Sequence, residues 1–284
     1  MPQNLSASEW LTYSTVRIEC ELQNRQISTD TGFFYRFVEK GDSHIPVIVT
    51  NKHMVEGAIH GRFHLNMASS TAEILIGQHK GFTLDNFQQR WIFHPDDEVD
   101  LCVMPIAPLI NLVSDQGQEA FYTSLDNKLI PSDQELSDLT AMEEIVMIGY
   151  PNGIWDAVNN APILRRGVTA THPRLDYNGK SEFMIDAACF PGSSGSPVFL
   201  FNIGAYQIKS GATAIGTRLK LLGILYAGPQ HTATGDLEIV NVPTHQRVVA
   251  FSRIPNNLGC VVKAKKLLDF EQILEQLSSS QTTA

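Results

Sequence analysis

Short runs rich in β-branched and aromatic residues recur along most of the chain, at 12–22, 32–38, 45–50, 73–76, 101–106 and 144–148, then at 183–187, 197–201, 219–226, 237–242 and 260–263. Each is bounded by Gly, Pro, Asn or Asp. This punctuation predicts strands joined by turns over nearly the whole length, the pattern of an all-β sandwich or barrel. Helical spacing is scarce. It is clearest at 265–277, where Leu267, Phe270, Ile273, Leu274 and Leu277 fall on one face at three- and four-residue intervals. A shorter helix is predicted to start at Ser132, with Glu135 three residues on completing a capping box. The stretch 108–142 is richer in Asp, Gln and Ser and reads as the connection between two β units. The last residues, SSSQTTA, read as a frayed tail.

Composition narrows the class. With 284 residues the chain has room for one large domain or two modest ones, and 43% hydrophobic against 18% charged residues is the balance of an ordinary globular protein. Lys and Arg total 21 against 30 Asp and Glu, a formal charge of −9. That is the wrong sign for a protein whose partner is nucleic acid or an anionic membrane surface. The four cysteines, Cys20, Cys102, Cys189 and Cys260, form no close C-x-x-C pair, so neither a zinc ribbon nor a disulfide framework is expected. The first residues lack a basic and then apolar leader, and the most apolar run, 101–113, is too short to span a bilayer. The expectation is a reducing, cytoplasmic setting.

Three local features carry candidate chemistry. The first is the small-residue turn from Phe190 to Val198 (FPGSSGSPV), which exposes a hydroxyl and bare backbone ahead of an apolar run. A serine attacks only if a base takes its proton and if N–H donors face the oxyanion that forms. Gly192, with no Cβ, can turn its N–H inward, and Ser194 supplies a second. Taken alone, the turn reads more readily as a plain Gly/Ser loop between strands than as a catalytic one. The second feature is His53, at the end of the strand-like IVTNKHMV. The third is Asp100, leading directly into the apolar LCVMPI, where a partly buried carboxylate needs a donor such as histidine Nδ1–H. Asp96 and Asp97 are rival acids, read as solvated turn residues.

In their order and text these features resemble the chymotrypsin-like serine proteases, most closely bacterial Deg/HtrA-type and other bacterial trypsin-like members. TNKHMV resembles the family's T-x-x-H-V-V, and VDLCVMPI its D-L/I-A-V/L strand. IGYPNG resembles its G-x-P-x-G turn, and DAACFPGSSGSPV its D-A-x-x-x-P-G-N-S-G-G-P-L. The resemblance implies two six-stranded antiparallel β-barrels side by side and a C-terminal helix on the second. The expected divisions are 9–125 for the barrel with His53 and Asp100, 126–262 for the barrel with Ser194, 263–278 for the helix and 279–284 for a disordered tail. It implies Ser194 as nucleophile, His53 as base, Asp100 as orienting carboxylate, and the N–H groups of Gly192 and Ser194 as oxyanion hole. The activity implied is a serine endopeptidase working through an acyl-enzyme on a protein or peptide, with no cofactor or metal.

Departures from the family pattern sharpen the expectation. Ser193 stands where secreted members carry the aspartate that pairs with a cleaved N-terminus, and Ser196 replaces the commoner glycine. Ala188, six residues before the serine, lies by resemblance at the base of the primary pocket with Cys189 beside it. Tyr226, Ala227 and Gly228 belong to the strand that would pair with substrate backbone. With no carboxylate at the base, a small or medium apolar residue is expected before the scissile bond. Control by a regulatory protein partner or a homo-oligomer is expected too. An α/β-hydrolase, with Asp236 and His245 completing its order, fails on the absent G-x-S-x-G and alternating helices. The alternative of another class is a catalytically silent domain that binds peptides.

Overall fold

The computed structural model describes residues 5–41, 43–228, 230–234, 251–255 and 257–281. A short helix α1 (Ala7–Thr12), closed by a Ser6/Glu9 capping box, leads into β1 (Thr15–Leu22), β2 (Ile27–Lys40) and β3 (Ser43–Thr50). The one-turn helix α2 (Lys52–Val55) precedes β4 (Ala58–Ala68), β5 (Ile74–Asp85), β6 (Ile92–Phe93) and β7 (Cys102–Pro105). The connection follows, with α3 (Ala107–Asp115), β8 (Glu119–Phe121) and α4 (Asp133–Ser137), and the Ser132/Glu135 capping box is present at α4. The second half contains β9 (Glu144–Gly149), β10 (Ile163–Thr169), β11 (Glu182–Asp186), β12 (Pro197–Gln207), β13 (Thr213–Ala227), β14 (Gln230–Thr234), β15 (Phe251–Pro255) and β16 (Leu258–Lys263). Helix α5 (Asp269–Gln281) ends the described chain.

The fold is all-β and chymotrypsin-like, as expected, with unequal halves. The second is a closed six-stranded barrel in the order β10-β11-β16-β13-β12-β9. The first has eight strands rather than six, in the order β5-β4-β1-β2-β3-β7-β6 with β8 added to β4. Two of its strands lie outside the expected runs: β6 is two residues long, and β8 lies inside 108–142, the stretch read as connection. β14 and β15 pair with each other as a separate ribbon. The run 237–242 lies outside the described residues.

Alternation along β2 explains how the halves join. Phe33, Tyr35 and Phe37 sit in one buried cluster with Ile148, Phe199, Leu221, Ile224 and Val262 of the second barrel. Phe34 points the other way, into the interior of the first half with Ile18, Cys20, Ile48, Met54 and Cys102. A strand buried on both faces reads as an unbroken apolar run, and within 32–38 the stretch Phe33–Tyr35 is one, before Arg36 turns to Asp126. The same inter-half cluster takes in Leu267, Phe270 and Leu274, so the C-terminal segment lies over the seam between the halves and reaches the first as well as the second. Phe270 lies 6.2 Å from Phe37 ring to ring, and the Val38 N–H donates to Glu271 Oε2 at 2.9 Å. The helix also continues to Gln281, past the expected tail boundary, while Leu277 is left exposed.

Candidate active site

His53 is carried by α2, whose single turn follows β3 and turns the imidazole back toward the start of β7. There Asp100 receives it. His53 Nδ1 and Asp100 Oδ2 are 2.5 Å apart, and the His53 backbone N–H donates to Asp100 Oδ1 at 3.1 Å. Asn51 Nδ2 donates to the Asp100 carbonyl at 2.7 Å, fixing the backbone from which the carboxylate projects. Burial alone works to lower the His53 pKa. The hydrogen bond and charge of Asp100, with Asp30 and Glu56 behind, outweigh it and leave the imidazole easier to protonate than usual. Asp96 and Asp97 sit in the preceding turn, where Asp96 accepts from Glu98 N–H and lies 3.4 Å from Lys266 Nζ.

Ser194 arrives from the second barrel on the loop before β12. Its carbonyl accepts from Thr31 N–H of β2 at 3.0 Å, so the loop is tied across the crevice to the first half. Its hydroxyl donates to the Tyr226 carbonyl at 3.3 Å. Among the described residues, no hydrogen bond joins Ser194 to His53. The other two serines of the motif are spent on structure. Ser193 is 1% exposed, with its N–H on the Phe190 carbonyl and its hydroxyl accepting from Phe190 N–H. Ser196 is fully buried and donates to Thr31 Oγ1 at 3.3 Å.

The two backbone donors are held open. The Pro191 carbonyl accepts from Asn152 N–H at 2.6 Å, and the peptide is trans, so the Gly192 N–H points away from Asn152. The Gly192 carbonyl is bound by Thr31 Oγ1 at 3.0 Å. Among the described residues neither the Gly192 nor the Ser194 N–H meets an acceptor. Gly192 has φ +82°, and a Cβ there would lie 2.7 Å from the Tyr150 carbonyl. Only glycine fits this turn.

The residues expected to line the primary pocket meet beside this loop. The Ala188 carbonyl accepts from Arg165 Nη1. Cys189 is buried, and burial pushes its thiol up to about 11. Gly228 faces it closely: a Cβ built on Gly228 would lie 3.6 Å from the Cys189 Cβ. Ala227 stands in register with Cys260 on β16. The Tyr226 hydroxyl donates to Glu182 Oε2 at 2.9 Å, which turns the ring toward β11.

Sequence reasoning missed three contributors. Thr31 joins Gly192, Ser194, Ser196 and the Tyr150 N–H in one network, Asn51 braces Asp100, and Asn152 orients the Pro191–Gly192 peptide. The available signal was polar residues placed directly against apolar strands, as in Asp30-Thr31 before the run at 32–38.

A family model described as a trypsin-like peptidase domain matches residues 31–204, more than half of the chain. No curated protein matches it. Similar solved structures include a serine endoprotease from Yersinia pestis, with 14% identity, TM-score 0.46, and 96% of this chain and 68% of that one covered. The HtrA-type protease AlgW with a tripeptide gives 14% identity, TM-score 0.45, and 92% and 60% coverage. Rv3671c from Mycobacterium tuberculosis, in an inactive form, gives 14%, 0.42, and 98% and 93%. The chain spans 63% and 60% of the two AlgW chains it resembles.

Proposed function

The chain belongs to the trypsin-like peptidase family, and on that premise we propose that it is a serine endopeptidase with Ser194 as nucleophile, His53 as base and Asp100 as orienting carboxylate. The observation that carries the proposal is the 2.5 Å contact of His53 Nδ1 with Asp100, which leaves Nε2 as the proton acceptor. In the reaction, the Ser194 hydroxyl rotates from the Tyr226 carbonyl to His53 Nε2, gives up its proton and bonds to the scissile carbonyl carbon. The oxyanion settles on the Gly192 and Ser194 N–H groups. His53 then passes its proton to the departing amine, and water repeats the sequence to release the acyl group.

The closeness of Gly228 to Cys189, and the absence of a carboxylate there among the described residues, support a small or medium apolar residue before the scissile bond. A peptide library tests this, and dominant cleavage after Phe, Lys or Arg counts against it. The four cysteines are free, which supports a reducing, cytoplasmic setting. Control by a protein partner or by self-assembly belongs to the same proposal.

A second reading, a peptide-binding module without turnover, is favoured by one observation: the Ser194 hydroxyl is bonded to Tyr226 and not to His53. A fluorophosphonate probe separates the two. The enzyme reading expects labelling of the wild type and none of Ser194→Ala, both remaining folded. A wild-type chain left unlabelled with and without peptide overturns it.

A further inference from the structure

Asp30 is an acid that the reaction scheme above does not use. It pairs in register with Ile18 on β1, so its side chain shares the face of β2 that turns into the first half's interior with Ile18, Cys20 and Phe34. It is 6% exposed, and among the described residues its carboxylate has neither a hydrogen bond nor an ion pair. An ionisable group in such a place is destabilising unless something charged nearby compensates. Burial dominates and holds the Asp30 carboxyl up; His53 is the charge that works against it, and the influence is mutual. Met54 and Val55, next after His53, belong to the buried cluster on the face of β2 that carries Asp30, and Thr50 Oγ1 donates to the Thr31 carbonyl at 2.8 Å, which brings the chain leading into His53 against this part of the strand. Asp30 cannot retreat, because Thr31 is fastened on the opposite face of the strand to Gly192, Ser194 and Thr50.

Resting on the assignment of His53 as base, we propose that Asp30 is a positioning residue for the reaction: a second carboxylate, on the buried face of β2 beside the segment that carries His53, that stabilises His53 when it becomes imidazolium. Asp100 holds Nδ1 through a hydrogen bond. Asp30 acts through space from the barrel interior, where low polarity keeps its field strong. The other titratable groups here are Glu56 after α2, and Cys20 and Cys102 below. Burial raises both thiols, Cys20 to about 12, so they stay protonated and do not compete. Burial raises Asp30 itself to about 7, and the charge of Asp30 in turn makes His53 easier to protonate, so the two groups are coupled and their protons belong to the pair.

The test needs no substrate. The His53 imidazole is titrated by NMR in Ser194→Ala and in Ser194→Ala/Asp30→Asn. The expected result is a broadened, two-step transition in the first and a single-proton transition at lower pH in the second. Identical curves overturn the proposal. Asp30→Glu, which restores a carboxylate, should move the transition back up; a return equally produced by Asp30→Ser would assign the effect to packing and also overturn it. Fluorophosphonate labelling, measured separately, should be about tenfold slower in Asp30→Asn at pH 8. If no variant labels at all while the NMR shift is present, the enzyme reading fails and the coupling stands.

Discussion

Asp30→Asn should stabilise the protein at pH 8 and do little at pH 5. In the native state the carboxylate lies at about 7 against an ordinary 3.8, so between these values the folded chain holds a proton that the unfolded chain has released. Stability therefore falls as pH rises through this window, and the loss is complete above the native value. A rise of that size corresponds to about 4 kcal/mol of destabilisation by the ionised group. Asparagine has the same shape and no charge, but its buried amide also lacks partners, at a cost of about 1–3 kcal/mol. The net expectation is a gain of about 1–3 kcal/mol at pH 8. Urea unfolding followed by circular dichroism at pH 5, 6, 7 and 8 measures it. An equal difference between wild type and variant at all four values would refute the reasoning, because a packing effect has no reason to follow this pH window.

Other outcomes follow from the same geometry. Gly192→Ala puts a methyl against the Tyr150 carbonyl in a left-handed turn and should slow fluorophosphonate labelling about 100- to 1,000-fold while leaving the circular dichroism spectrum unchanged. Phe270→Ala removes a fully buried ring from the cluster shared by the two halves and should cost about 3–5 kcal/mol in urea unfolding. Because Asp100 and its neighbours make His53 easier to protonate, the labelling rate should rise with pH through a limb above 6.5, as a rate profile from pH 5 to 9 would reveal. Replacing Asp100 with Asn should pull that limb down and slow labelling severely.

How legible this was depended on how many constraints each residue met. Stretches buried on both faces, such as Phe33–Tyr35 of β2 and Val47–Val49 of β3, stand out because their successive positions are all apolar or aromatic. β4 was missed because its buried positions, Phe63, Leu65 and Met67, alternate with His64 and Asn66, and Gly61 interrupts the pattern. β10 was missed for the same reason, with Arg165, Arg166 and Gly167 breaking an otherwise apolar stretch. The apolar face of the last helix was visible, but not what it would pack on, since its periodicity says that a side is buried and nothing about against what. At the site, His53, Asp100 and Ser194 could be read from motif text. The placement of Thr31 and Asp30 could not, because it depends on cross-strand register, which fixes Asp30 inward with Ile18 and Thr31 toward the second barrel.

Thr31 also sets how the molecule can open. Its backbone and hydroxyl fasten the Ser194 loop to a strand of the opposite half, and the Phe33, Tyr35 and Phe37 rings immediately after it are sealed between the halves. A hinge that parted the two halves would tear out the nucleophile's anchor before any substrate entered. On the role proposed for Ser194, admission and gating belong to the rim, at Cys189, Gly228 and the Tyr226 carbonyl, where a peptide edge can displace the Ser194 hydroxyl while the seam beneath stays shut.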